Sequence, residues 1–271
     1  MNIQAIGVCR YSLLVEGGFK AGPRDLRERA AILYDERRMA ERLAWFTHVT
    51  LPSLLGQTDR RFRFAVLVSD AMPDRWLERL TEVVPEGGPV ELQLCPVGKH
   101  HQIANAALRD RLDPDAEVVA QFRVDDDDAV ALDYVAQVRS DFESFLGGLL
   151  QRWGRVSADY SRGVVVQADG RAAPVLRQIH EVTWNCGQTL YTRPEEAGTL
   201  FRYGHHRMHV HMPTVTFPDR VMFVRGRHGS NDSSFRIPTA DASDARPDLL
   251  RRRFGIDLDR LQQALAAIEP A

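Results

Sequence analysis

The sequence predicts an α/β fold built on a mainly parallel (mixed) sheet flanked by helices. Three observations predict it. Strand-length apolar runs alternate with segments of helical period through the first half of the chain. Proline and glycine close the segments at the expected places. Four consecutive aspartates, Asp125 to Asp128, follow directly on the apolar run 118–124. Open α/β sheets place their ligands at such carboxyl ends of strands.

Residues 3–8 form a short β-type run. No basic segment followed by a long apolar region precedes them, so they read as a first strand rather than a signal peptide. Residues 24–55 carry Leu26, Ala30, Leu33, Ala40, Leu43, Phe46 and Leu54 close to helical period. Residues 64–68 are an apolar strand ended by Ser69 and Asp70. Pro73 opens the next helix at its first turn, with Trp76, Leu77, Leu80, Val83 and Val84 on one face, and 85–89 break it. Residues 90–97 form a third strand and 101–112 a helix, stopped near Pro114; the strand 118–124 with its aspartates follows.

Residues 132–150 read as a helix on Val135, Val138, Phe142, Phe145 and Leu149. Beyond Gly154 the pattern changes to short strands at 163–167, 179–183 and 188–191, a histidine-rich stretch at 204–232 and an amphipathic tail at 249–268. No repeat or linker divides the chain. It reads as one domain, 1–271, with halves 1–130 and 131–245 and a helical tail 246–271.

Hydrophobic residues make up 44% of the 271 and charged residues 27%, enough for a large core. The net charge of -2 carries no basic footprint, which argues against a nucleic-acid partner. Three scattered cysteines, without a CxxC pair, point to a reducing, cytoplasmic setting. No apolar run reaches membrane-spanning length. Peripheral membrane contact stays open.

Packed carboxylates repel unless a cation compensates them. On an extended chain Asp125 and Asp127 share one face, and Asp126 and Asp128 the other. Two carboxylates could then converge on Mg2+ or Mn2+, which often takes one or two oxygens from protein when phosphate supplies the rest. A solvated acidic turn is the plain alternative. A calcium loop would need glycine at its sixth position and a carboxylate at its twelfth; Val130 and Ala136 stand there.

His205, His206, His209 and His211 crowd one stretch, and His205 with His209 has the i, i+4 spacing of a zinc site. That would suit a metal-dependent hydrolase, but the HExxH glutamate is missing and Pro213 follows. In Trp184-Asn185-Cys186-Gly187-Gln188 an aromatic plate adjoins carboxamides, a combination that binds sugars; a core tryptophan beside a turn is the equal alternative.

The segment 123–129 resembles the Asp-x-Asp signature of GT-A-fold glycosyltransferases. Residues 51–57 are similar to the end of their first long helix, 68–70 to the nucleotide-contacting end of their second strand, and 102–108 to the helix before the metal-binding strand. Residues 227–233 resemble a His-Gly-x-Asn-Asp-Ser segment of bacterial rhamnosyltransferases. The resemblance implies a GT-A-like fold with a Rossmann-like nucleotide-binding half. It implies a glycosyltransferase that moves a sugar, such as rhamnose, from a nucleotide-diphosphate sugar to a glycan or other hydroxyl acceptor, with inversion. Asp70 would meet the base, Asp125 the ribose or metal, and Asp127 and His228 the Mn2+ or Mg2+. Arg10 and Asn105 would join the donor site, and Trp184 and Asn185 the acceptor site. The Glu-Asp pair that supplies the base in many inverting members is missing. Asp232, beside His228, and Glu181 are the candidates for that role. A non-catalytic nucleotide- or carbohydrate-binding protein on the same fold is the remaining alternative.

Overall fold

The computed structural model describes residues 1–16, 25–184, 186–196, 199–229, 231 and 243–268, with His205 described by its backbone alone. The chain opens with β1 (Ile3–Arg10) and a short β2 (Val15–Glu16). The helix expected over 24–55 is four pieces: α1 (Leu26–Leu33), α2 (Glu36–Trp45), a π-helical turn (Phe46–Thr50) and α3 (Leu51–Leu55). The break has a local cause. Asp25 and Asp35 each stand just before a helix and accept from first-turn amides, Asp35 from Arg38.

The predicted alternation follows, shifted by a few residues: β3 (Phe62–Ser69), α4 (Asp74–Val83), β4 (Val90–Cys95), then an unpredicted two-residue β5 (Gly98–Lys99) paired with β2, α5 (His100–Arg109) and β6 (Val118–Arg123). After the aspartates come β7 (Ala129–Val130), α6 (Tyr134–Asp141), a second π-helical turn (Phe142–Leu146) and α7 (Gly147–Trp153).

The second half departs further from expectation. The strand read at 163–167 is the end of a 13-residue β8 (Arg155–Gln167). β9 (Val175–His180) and β10 (Thr189–Thr192) lie near their expected places. The histidine-rich stretch holds 3-10 turns (Leu200–Arg202, His205–Arg207), α8 (Met208–His211) and a 14-residue β11 (Thr214–Arg227). β12 (Ser243–Asp244) follows. The tail is two helices, α9 (Pro247–Phe254) and α10 (Leu258–Ala266), parted where Gly255 takes φ +70.

β1 lies inside one large sheet of order β12-β9-β8-β10-β6-β1-β3-β4. β1, β3, β4 and β6 run parallel. β10 is antiparallel between β6 and β8, so the sheet is mixed. One face buries Trp45, Phe46, Phe64, Phe122, Tyr134 and Phe142. The other buries Ile6, Val8, Leu67, Val119 and Leu190 beneath α5. This two-sided burial explains why the parallel strands read as nearly continuous apolar runs.

Two features of the topology position the site. Arg10, Asp70 and Arg123 end or follow β1, β3 and β6 at one edge of the sheet. β7 pairs antiparallel with Phe223 and Val224 of β11. That pairing draws the aspartate turn onto the end of β11. The approach is close at Gly226, where a Cβ would overlap the Asp127 carbonyl oxygen and stand 3.0 Å from Cζ3 of Trp45.

Gly226→Ala is therefore expected to lower the melting temperature, at a cost of about 1–3 kcal/mol from overpacking. Gly148→Ala, in α7 with nothing within 4 Å of its added Cβ, should leave it unchanged or higher. Thermal denaturation of both variants checks the contrast.

Candidate active site

The aspartates are not extended. The Asp128 amide donates to the Asp125 carbonyl at 3.1 Å and closes a β-turn. The alternation expected of a strand is lost. Asp126 and Asp127, neighbours in sequence, meet the same group instead. Arg42 of α2 donates through Nε to Asp126 Oδ2 at 2.9 Å and through Nη2 to Asp126 Oδ1. Its Nη1 donates to Asp127 Oδ2 at 3.2 Å. Asp126 is fully buried, Asp127 and Asp128 nearly so. Asp128 Oδ1 accepts from the Gly226 amide at 3.1 Å. Asp125 is more open and turns elsewhere, 3.5 Å from Arg123 Nε and 3.7 Å from Arg10 Nη2.

The electrostatics follow from these partners. Burial by itself would raise every carboxyl in the turn. For Asp125, Arg123 and Arg10 overcome burial and hold it well below the usual range. For Asp127, Arg42 and the His228 hydrogen bond also outweigh burial and lower its pKa. Asp128 goes the other way, pushed up by burial and by the charge of Asp127.

Asp127 Oδ2 is the focus. It takes Asn231 Nδ2 at 2.7 Å and lies 2.9 Å from His228 Nε2, in addition to Arg42. His228 is held by its ring and its backbone. It stacks on Trp45, centroids 5.0 Å apart and planes at 27°. Its Nδ1 lies 3.6 Å from Glu41 Oε1, and its backbone amide donates to Asn231 Oδ1 at 2.6 Å. Burial works against a proton on His228, but the bonds to Asp127 and Glu41 outweigh it and raise its pKa.

The donor set can be tested against a metal. Two ligands at right angles around an ion, each about 2.1 Å away, stand about 3 Å apart. The 2.9 Å between Asp127 Oδ2 and His228 Nε2 matches that separation. Glu41 near Nδ1 is the partner that fixes a ligating histidine's tautomer. Among the described residues no three His, Cys, Asp or Glu side chains gather to hold a metal. The pair would suit an ion that takes its other ligands from phosphate and water. Asp125, expected beside Asp127 on one face, makes its contacts with Arg10 and Arg123 instead.

Other expected residues are scattered. Asp70 is exposed just past β3, and its amide donates to the Cys95 carbonyl at 2.9 Å. Asn105 lies in the middle of α5, where its carboxamide oxygen accepts from Thr199, a contact that ties α5 to the loop before the first 3-10 turn. Glu181 is half-buried after β9, its amide bonded to the Ser161 carbonyl at 2.7 Å. Trp184 is half-buried, with the Arg225 guanidinium 4.8 Å from its ring centroid and bonded to its carbonyl at 3.1 Å. The charge of Arg225 also acts on Asp125 and Asp128, so this loop adjoins the turn. Asn185 and Asp232 lie outside the described residues. The i, i+4 zinc reading needed one helix, yet His205 sits in a 3-10 turn and His209 in α8. His209 and His211 are exposed.

The sequence reading overlooked Glu41, Arg42, Trp45, His100, Arg123, Arg225 and Asn231. Arg42 left a signal: it lies on the core-facing stripe with Met39 and Phe46, where a charge needs a partner. His100 opens α5. Burial, with the charges of Arg10 and Arg123, lowers its pKa to about 4, and its buried Nε2 has no hydrogen-bond partner among the described residues.

In backbone the chain is similar to crystal structures of Staphylococcus aureus TarS. For TarS 1–349 with UDP-GlcNAc the identity is 13% and the TM-score 0.41, over 88% of this chain and 62% of that one. For TarS 1–349 with UDP the values are 11% and 0.40, over 84% and 61%. The chain thus spans about three fifths of the TarS fragment. Rv0371C of Mycobacterium tuberculosis H37Rv, in complex with manganese, is 12% identical with a TM-score of 0.34, over 84% of this chain and 91% of that one. No curated protein matches the chain in sequence. The family described as "Putative rhamnosyl transferase" matches residues 4–240. That span takes in all of β1 but its first residue, the aspartate turn and the His228–Asn231 segment, and the chain belongs to this family.

Proposed function

We propose that the chain transfers a sugar, rhamnose, from a nucleoside-diphosphate sugar to a hydroxyl acceptor with inversion, using Mn2+ or Mg2+ held by Asp127 and His228. The single observation that carries this reading is the 2.9 Å pairing of Asp127 with His228 at the carboxyl edge of the sheet, with Glu41 behind the imidazole. A bound divalent ion supplies Lewis-acid neutralisation of the departing diphosphate. Glu41, facing Nδ1, would hold the proton of His228 on that nitrogen as a hydrogen-bond acceptor, so that Nε2 would present its lone pair to the ion. Asn231 and Arg42 hold the Asp127 carboxylate in place.

Arg10 and Arg123 bring two positive charges to the strand ends, offset in this structure by Asp125. A diphosphate would engage them as Asp125 turns to the ribose. His100, neutral at physiological pH, can hydrogen-bond beside them without adding charge. Trp184, braced by Arg225, offers an aromatic face to the acceptor. Asp232, one residue beyond Asn231, is the proposed base that takes the acceptor proton, with Glu181 as the second candidate. One displacement with one base gives inversion.

A thermal-shift screen of nucleoside-diphosphate sugars tests the donor site, since a ligand that binds the native state raises its stability. At least one donor should raise the melting temperature more with manganese than with a chelator. Asp127→Ala should remove that difference and the transfer activity; undiminished turnover in this variant would defeat the metal assignment. Arg42→Ala separates architecture from chemistry. It leaves Asp126 buried without its cation, so about 3–5 kcal/mol of stability should be lost by denaturant titration. Asp126→Asn in the same chain should recover part of it.

A further inference from the structure

We infer that the opposite edge of the sheet carries a second binding site, for a ligand with two or more phosphate or carboxylate groups. At the amino ends of β1 and β3 lies an open cavity of about 600 Å3. Five arginines line it: Arg60 and Arg61 from the loop before β3, Arg63 from β3, Arg111 after α5, and Arg139 from α6. The carboxylates lining it are Asp113 and Glu143.

The pairing around the cavity leaves guanidinium donors in excess. Asp59 lies 2.8 Å from Arg61 and 2.7 Å from Arg139; Glu91 lies 3.4 Å from Arg63 and 3.2 Å from Arg111. Asp59 and Glu91 thus pair with four guanidiniums and Glu143 acts by its charge on Arg61 and Arg139, so that with Asp113 four carboxylates face five guanidiniums, each of which carries five N–H donors. Arg60 donates to a carbonyl, that of Leu55, at 3.2 Å. Asp59 has its pKa lowered to about 2, first through its bond from Arg61, with the charges of Arg139 and Arg61 as lesser causes.

The arrangement is built rather than loose. Arg111 is 7% exposed, anchored by Gln93 at 2.6 Å and the Ala107 carbonyl at 3.0 Å, and its Nε has no hydrogen-bond partner among the described residues. Arg139 is anchored to the Ile3 carbonyl at 3.1 Å. These two make a fixed floor, and Arg61 and Arg63, 78% and 48% exposed, stand at an open rim. Planar guanidinium forks match phosphate and carboxylate oxygens in pairs. The whole chain is slightly acidic, so the patch is a local concentration and not a general basic character. The length of β1, about 23 Å, separates it from Arg10, so one small donor cannot occupy both edges.

The probe is inorganic tripolyphosphate, titrated calorimetrically into the full chain in low salt with EDTA. Saturable binding is expected, with Kd below about 1 mM and weakening as sodium chloride rises. Arg60→Ser/Arg61→Ser/Arg63→Ser should weaken it at least tenfold; a separate binding event at Arg10 and Arg123, where the proposed function seats a diphosphate, would be lost in Arg10→Ala while the rim-dependent event stays. Arg60→Ser/Arg63→Ser, which spares the pair of Arg61 with Asp59, should still weaken it severalfold and guards against misfolding of the triple variant. Long-chain polyphosphate forms the second arm. Binding of tripolyphosphate assigns a small phosphorylated ligand, and binding of the long chain alone assigns an anionic polymer. Binding of neither, binding with no event that the rim substitutions weaken, or loss of the rim-dependent event in Arg10→Ala overturns the site.

Discussion

Charge compensation by one buried guanidinium underlies the candidate active site. Four carboxylates occupy one β-turn, and three of them are buried. Charges taken from water cost several kcal/mol each unless they are paired and hydrogen-bonded. Arg42 grips Asp126 with two nitrogens and reaches Asp127 with the third. The placement of Arg42 depends in turn on α2, whose start is set by Asp35 and whose end runs into a π-helical turn. Asp128 closes the arrangement from the other side by accepting the Gly226 amide. The turn is therefore held between α2 and the end of β11, two elements more than a hundred residues apart.

The same elements set up an asymmetry across the turn. Asp125 faces Arg10 and Arg123 at the mouth of the parallel strands, while Asp127 faces His228 and Asn231. One side is suited to receive an anion and the other a cation. A diphosphate with its counter-ion has that polarity, so the distribution of charge adds to the support that the Asp127–His228 pairing gives the proposed chemistry.

How legible this was in the sequence differs by region. The alternation through β6 could be read because each of its elements signals locally, by apolar run or by helical period. β8 was half hidden: Ser157, Asp159 and Ser161 are buried, so its first part lacks the apolar appearance of a core strand. β11 was hidden by Pro218, Asp219 and Arg220, which stand where its register against β8 shifts between Phe217 and Val221. The aspartates were recognisable as a site, yet their geometry was not. A turn hydrogen bond, settled by what packs around it, replaced the strand alternation. His228 was legible through its resemblance to family segments, whereas Glu41 and Trp45 were not, because nothing nearby in sequence announces which residue of a helix will face a turn formed eighty positions later.

The π-helical turn at Phe46–Thr50 has a consequence for helical phase. A π-turn adds one residue to a helix, and each residue advances the helix by about 100°. Everything before it, including Glu41, Arg42 and Trp45, is thereby rotated relative to α3, whose own face is fixed by Leu51 and Leu54 in the core. The extra residue acts as a phase shifter between a helix end committed to packing and a helix end committed to charge. Excising it would leave both helices intact and aim the guanidinium of Arg42 a quarter-turn or more away from the carboxylates that need it.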